Sequence, residues 1–287
     1  MNPPSVRAPW HQRLAIISGG SSGLGRHLAL CLAEQGAHVT ILGRDRQRLA
    51  SIESEALRAG AASARTFAVD VCQPLTRDAS HESATDDRAA WNAFIATSPC
   101  DLLIQAVGQS DRGRLDTLTA NDLIHQFEVN VVSSLHMTQS CWGALQRSHG
   151  VVVNIASLAG ILAGPQLGGY CTAKHALVGL HRQWRAEAAG SGIHFLLVCP
   201  GPIQREGPSN RYDALVAKRG LDANAAKPGG GVQVRRLDPE VLSERILRAA
   251  ARRELELIVP GKASWLAALM ALWPSWADRI VRAKMGG

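Results

Sequence analysis

The chain has 287 residues, 46% of them apolar and 19% charged, with a formal net charge of +7. That balance excludes a disordered chain and suits a single α/β domain with a sizeable core. The basic residues are dispersed rather than gathered on one element, which argues against a nucleic-acid partner and leaves a membrane surface, an anionic substrate or plain solubility as uses of the charge.

Residues 1–13 contain three prolines and no apolar h-region, so they read as a flexible arm rather than a signal peptide. The apolar run 14–17 reads as the first strand, followed by Ser18, Gly19, Gly20, Ser21, Ser22, Gly23, Leu24 and Gly25. A helix is expected from about 23 to 35. Strand, glycine turn and helix together are the context of a phosphate-binding loop. Its glycines let the backbone approach a pyrophosphate seated on the free N–H groups of the helix start.

The second strand, 38–42, ends at Gly43, Arg44 and Asp45. An acidic residue closing this strand would hold a ribose 2′-hydroxyl. Here Gly43 stands in that place and Arg44 follows, offering a guanidinium to a 2′-phosphate, which points to NADP (NADPH) as cofactor. The other reading is that Arg44 opens an exposed basic helix with Arg46 and Arg48. That helix spans 46–58, a third strand spans 65–69, and Asp70 and Val71 close it. Residues 73–88 read as a polar surface insertion. A helix at 89–97 and a strand at 102–104 lead to Gln105, Ala106, Val107 and Gly108.

From 120 to 146 the pattern predicts one long, kinked helix carrying Asn130 among Val129, Val131 and Val132. The kink could hold a water linking Lys174 to solvent, against the plainer reading of an outward-facing polar residue. A buried strand at 151–155 precedes Ser157, and a helix then places Tyr170 and Lys174 one turn apart on one face. An ammonium beside a phenol stabilises the phenolate and draws the tyrosine from its reference pKa of about 10 towards neutrality. Such a tyrosine exchanges a proton with a substrate oxygen near neutral pH, and Ser157 adds a hydroxyl donor to that oxygen. Taken alone, a Tyr-x-x-x-Lys pair is also what an ordinary helix surface shows.

A sixth strand at 193–198 runs into Cys199, Pro200, Gly201, Pro202 and Ile203. Residues 205–237 are rich in Gly, Arg, Lys and Asn and read as a substrate lid, with Tyr212, Leu215 and Val216 on its inner face. A helix (239–252) and a strand (255–259) complete about seven parallel strands in a doubly wound, Rossmann-type sheet with helices on both faces. The unit is thus one domain, 14–260, followed by a tail, 261–287. In that tail a nine-residue apolar run from Trp265 to Trp273 is too short to span a bilayer, which takes about 20 residues. With Trp276, Arg279, Arg282 and Lys284 it suits either a membrane interface or packing on the domain or a second subunit.

Six scattered cysteines without Cys-x-x-Cys spacing read as free thiols of a reducing, cytoplasmic compartment. The ten histidines show no ligand spacing, and no metal is expected.

These motifs resemble the short-chain dehydrogenase/reductase family in its short single-domain branch. The resemblance rests on the turn from Ser18 to Gly25, on Asn130, on Ser157 with Tyr170 and Lys174, and on Pro200-Gly201; it covers about 14–259. It implies Ser157, Tyr170, Lys174 and Asn130 as catalytic residues. It also implies that Lys174 holds the nicotinamide ribose, that Asp70 reaches the adenine amino group, and that Gly108 and Ile203 line the cofactor. The chain departs from the family where Gln105-Ala106-Val107 replaces Asn-Asn-Ala and where Gln204-Arg205-Glu206 stands in place of a threonine. The expected activity is hydride transfer between NADPH and a small-molecule ketone or alcohol, apolar or lipid-like. A homo-oligomer is expected, localised in the cytoplasm or peripheral to a membrane. A non-catalytic NADP-binding sensor or scaffold is the alternative.

Overall fold

Seven short apolar segments form the strands β1 (Leu14–Ser18), β2 (His38–Gly43), β3 (Ser63–Ala68), β4 (Leu102–Gln105), β5 (Val151–Ile155), β6 (His194–Pro200) and β7 (Glu256–Val259). All pair in parallel, in the order β3-β2-β1-β4-β5-β6-β7. The computed structural model describes residues 8–75, 86–204, 212–227, 235–273, 275, 276 and 279.

A parallel sheet is buried on both faces, and the two-residue period of a strand assigns each side chain to one of them. Ala15, Ile17, Val39, Ile41, Ile104 and Val153 point to one core. Against them pack the helices α1 (Gly23–Glu34), α2 (Arg46–Arg58) and, later in the chain, the segment Pro239–Ala251. Their neighbours Ile16, Leu42, Leu103 and Val152 point to the other, under α3 (Arg88–Thr97) and the segment Ser133–Ser148. Polar caps fix where helices begin. Asp45 accepts from the backbone N–H groups of Gln47 (3.0 Å) and Arg48 (3.1 Å), and Thr119 and Asp122 form a reciprocal capping box.

The expected long helix after β4 is three pieces: α4 (Ala120–Phe127), one π turn (Glu128–Val132) and α5 (Ser133–Ser148). The π turn carries Asn130 and supplies the kink. Next come α6 (Gly168–Glu187), the short α7 (Asp213–Lys218) within the expected lid, α8 (Pro239–Ala251) and α9 (Lys262–Leu272) in the tail. Arg205 and the flanks of the lid, 205–211 and 228–234, fall outside the described residues, as do 1–7, 76–85, Arg282 and Lys284.

One expectation is corrected. Residues 8–13 are not a loose arm: Trp10 is buried in the first core and its indole N–H donates to the Leu247 carbonyl at 3.2 Å. Arg13 pairs with Asp101 at 3.0 Å. Burying an aromatic ring contributes about 2–3 kcal/mol, and that ties the segment to α8.

Candidate active site

Between β1 and β4 the sheet order reverses, and the chain leaves these strands in opposite directions, opening a crevice at their carboxyl ends. The glycine turn lies here. Gly19 has φ +75°, and a Cβ on it would stand 2.9 Å from the Val107 nitrogen across the crevice. A Cβ on Gly25 would press into the Gly19 carbonyl, so the start of α1 lies directly on the turn. Ser22 precedes α1 in extended conformation and makes no side-chain cap, which leaves first-turn N–H groups for an anion. Leu24 is half-buried and packs against the core. Ser18 is buried, and the Ser21 hydroxyl lies beside Gly43.

At the end of β2 the three arginines differ. Arg46 is paired with Asp87 at 2.8 Å and Arg48 with Asp45 at 3.1 Å. Arg44 is 77% exposed and reaches Asp70 only at 4.0 Å. Asp45 is spent on capping α2. Asp70 accepts from the Cys72 N–H at 3.0 Å, and the carbonyl of buried Val71 meets His136 Nδ1 at 3.2 Å. The glycine turn thus lies beside the most exposed of the three guanidinium groups, that of Arg44, a donor set that fits a dinucleotide bearing a 2′-phosphate.

Beyond the crevice lies a second group. Lys174, 3% exposed, donates from Nζ to the Ile155 carbonyl at 3.0 Å and lies 6.0 Å from the Tyr170 ring centre. Burial pushes its pKa down to about 8. Ser157 lies two residues past β5, and its Oγ accepts from the Ala159 N–H at 3.1 Å, leaving the hydroxyl hydrogen to donate elsewhere. The 158–160 turn that carries Ser157 rests on α6 because residue 160 is glycine: a Cβ there would stand 2.7 Å from the Lys174 carbonyl oxygen. Cys171 strengthens the same junction, its Sγ–H donating to the Ala159 carbonyl at 3.2 Å.

Asn130 is buried, not turned outward. Its side chain brackets Gln109, accepting from the N–H at 3.3 Å and donating to the carbonyl at 3.1 Å, and it also donates to the Gln126 carbonyl at 3.0 Å. A methyl on Gly108 would stand 3.0 Å from Asn130 Oδ1 and 3.2 Å from Lys174 Nζ, so the backbone after β4 borders both. Gln105 donates to Thr138 Oγ1 at 2.7 Å and thereby anchors β4 to α5. Asn154 joins α5 to α6 instead, accepting from Ser134 at 3.3 Å and donating to His181 Nδ1 at 2.9 Å. Burial first, then nearby Arg185 and Arg182, push His181 down to about 3, so it is the neutral acceptor this bond needs.

Past β6, Gly201 N–H donates to the Val259 carbonyl at 2.8 Å, and Ile203 bridges to Leu237. Pro200 and Gly201 are thus fixed against β7 at the far edge of the sheet, and Ile203 against the segment before α8. Sequence reasoning missed Gln126, Cys171 and the charged residues of 110–112; none stands in a pattern that spacing could reveal.

A sequence profile described as short chain dehydrogenase matches residues 13–213. The chain is 30% identical over 192 residues to 2-(S)-hydroxypropyl-CoM dehydrogenase 3 of Xanthobacter autotrophicus, covering 67% of this chain and 71% of that one. It is 26% identical over 263 residues to hydroxysteroid 11-beta-dehydrogenase 1-like protein A of Xenopus laevis, covering 91% and 80%. A short chain dehydrogenase of Burkholderia cenocepacia, solved in complex with NADP, shares the fold at a TM-score of 0.71 with 18% identity, over 94% of this chain and 98% of that one. An alcohol dehydrogenase of Thermococcus sibiricus, complexed with 5-hydroxy-NADP, does so at 0.66 with 20% identity, over 86% and 95%.

Proposed function

The chain belongs to the short chain dehydrogenase family of oxidoreductases, and from that premise we propose an NADP-dependent enzyme that interconverts a carbonyl and an alcohol, with Tyr170 as general acid and base. The observation that carries this reading is the buried Lys174 one turn from Tyr170, with the Ser157 turn packed on the same helix. When bound, NADPH supplies the hydride. The residues of the chain supply position and the proton. Tyr170 gives its phenolic proton to the substrate oxygen, and Ser157 donates a hydrogen bond to that oxygen as charge develops on it. Burial lowers the Lys174 pKa to about 8, and its ammonium favours the phenolate after transfer.

Arg44 supports NADP over NAD, as do the NADP and 5-hydroxy-NADP complexes of the two proteins of similar fold. Fluorescence titration is expected to show tighter binding of NADPH than of NADH. Arg44→Ala is expected to weaken NADPH about 10- to 100-fold, the loss of one charge-assisted contact, and to leave NADH unchanged. Equal affinity for both nucleotides in the native chain would remove this role from Arg44.

The tail supports a membrane-interface contact for an enzyme of apolar substrates. On α9, Trp265 is 81% exposed, and Trp265, Ala268 and Leu272 share one face, with Trp273 and Trp276 exposed beyond. Among the described residues no helix is long and apolar enough to cross a membrane. The native chain is expected to sediment with anionic phosphatidylglycerol vesicles and the Trp265→Ala, Trp273→Ala double variant to remain in solution; equal sedimentation would exclude this role for the tryptophans.

A further inference from the structure

The segment from Gly108 to Gly113 joins three parts of the molecule residue by residue. At its start, Gly108 borders Asn130 and Lys174, and Gln109 is bracketed by Asn130. At its end, the Gly113 N–H donates to the Gln166 carbonyl at 2.9 Å, and Gly113 bridges to Leu167, which leads into the helix bearing Tyr170. Between these, the segment grips the described part of the lid, 212–227.

That grip is made mostly by two arginines. Arg112, 4% exposed, donates from Nε to the Ala225 carbonyl at 2.6 Å, from one terminal nitrogen to the Asp111 carbonyl at 2.7 Å and from the other to the Lys227 carbonyl at 3.4 Å. Its guanidinium also lies 4.0 Å over the Tyr212 ring. Tyr212 in turn shares a hydroxyl–hydroxyl hydrogen bond with Ser110. Arg219, at the end of α7, reaches back to Asp111 at 2.9 Å, to the Arg112 carbonyl, and to Asp122 of α4 at 3.1 Å. Arg219 thus bridges two carboxylates, while the Arg112 guanidinium is taken by backbone carbonyls and the Tyr212 ring. Such charge-assisted bonds are costly to break one partner at a time.

We propose that Arg112 and Arg219 are positioning residues that dock the 212–227 lid over the substrate side of the site, and that the 108–113 segment ties this docking to the catalytic group. The proposal rests on the oxidoreductase reading for what the docking serves, but not for the docking itself. Arg112 directs donors to the lid carbonyls of Ala225 and Lys227, and Arg219 reaches from the lid to Asp111 and Asp122, so both serve the lid. Tyr212 and Ser110 then stand where the lid meets the backbone that follows Gly108, which makes them the side chains placed to select substrates by shape.

The test uses Arg112→Ala and Arg219→Gln in the full chain. Hydrogen–deuterium exchange is read without substrate, and ketone reduction with NADPH is read separately. Each variant is expected to speed amide exchange across 212–227 about 10-fold while exchange in β4 and β5 stays at the native rate, which shows that the sheet is intact. NADPH affinity is expected to hold, and kcat/KM for the ketone to fall about 10-fold, chiefly through KM. Unchanged exchange across 212–227 in both variants would overturn the docking. Faster exchange with undiminished kcat/KM would overturn its link to catalysis. A native chain that reduces no ketone would sink the proposed activity, yet exchange would still decide whether the arginines hold the lid.

Discussion

Replacing Tyr170 by Phe is expected to lower ketone turnover by about 10²- to 10⁴-fold, the usual contribution of a positioned general acid, while NADPH affinity stays within about twofold. The substitution keeps the ring beside Lys174 and removes one oxygen. Lys174 retains its bond to the Ile155 carbonyl, and the 158–160 turn retains its seat on α6 through Gly160 and Cys171. These contacts are kept, so a fall in kcat with NADPH affinity held reports the lost phenolic proton. Stopped-flow hydride transfer and nucleotide titration on the same preparation separate chemistry from binding. Turnover at the native rate would discard Tyr170 as the acid and return the chain to the reading of a nucleotide-binding protein without this chemistry.

The Gly25→Ala variant should lose NADPH affinity by at least about 100-fold. A methyl at this position would press into the Gly19 carbonyl oxygen and stand 2.9 Å from its carbonyl carbon. Both atoms are backbone, so relief requires α1 and the turn to move apart. The N–H groups that would cradle a pyrophosphate then leave their positions. Losing two such charge-assisted bonds at about 1.5–3 kcal/mol each gives a loss of about 10²- to 10⁴-fold. Gly179→Ala is the control: a Cβ at 179, on the exposed side of α6, meets nothing within 4 Å. Native NADPH affinity in a folded Gly25→Ala protein would show that the glycine turn does not hold the cofactor.

Much of this architecture is written locally. The apolar runs 14–17, 38–42, 102–104 and 151–155 are strands because a buried parallel strand has only apolar neighbours. Tyr170 and Lys174 share a face because the helical period puts them there. Gly19 and Gly25 declare a close turn because a side chain at either position would meet backbone. A π turn at Asn130 was foreshadowed only as a kink, since an asparagine amid valines shows a break in pattern without its geometry.

What the sequence by itself determined is therefore the order of strands and helices, the close glycine turn and the Tyr-Lys pair, all relations between residues a few positions apart. Only the tertiary structure decided that Trp10 is docked on α8, that Arg44 is the most exposed and most loosely paired of the three arginines after β2, and that Gln105 anchors to Thr138. It alone brought Arg112 to Tyr212 and Arg219 to Asp111, partners about a hundred positions apart. The physical reason is that charge pairing and aromatic stacking depend on distance in space. A sequence fixes that distance within a helical turn or a strand pair, and leaves it to the packing of the sheet everywhere else.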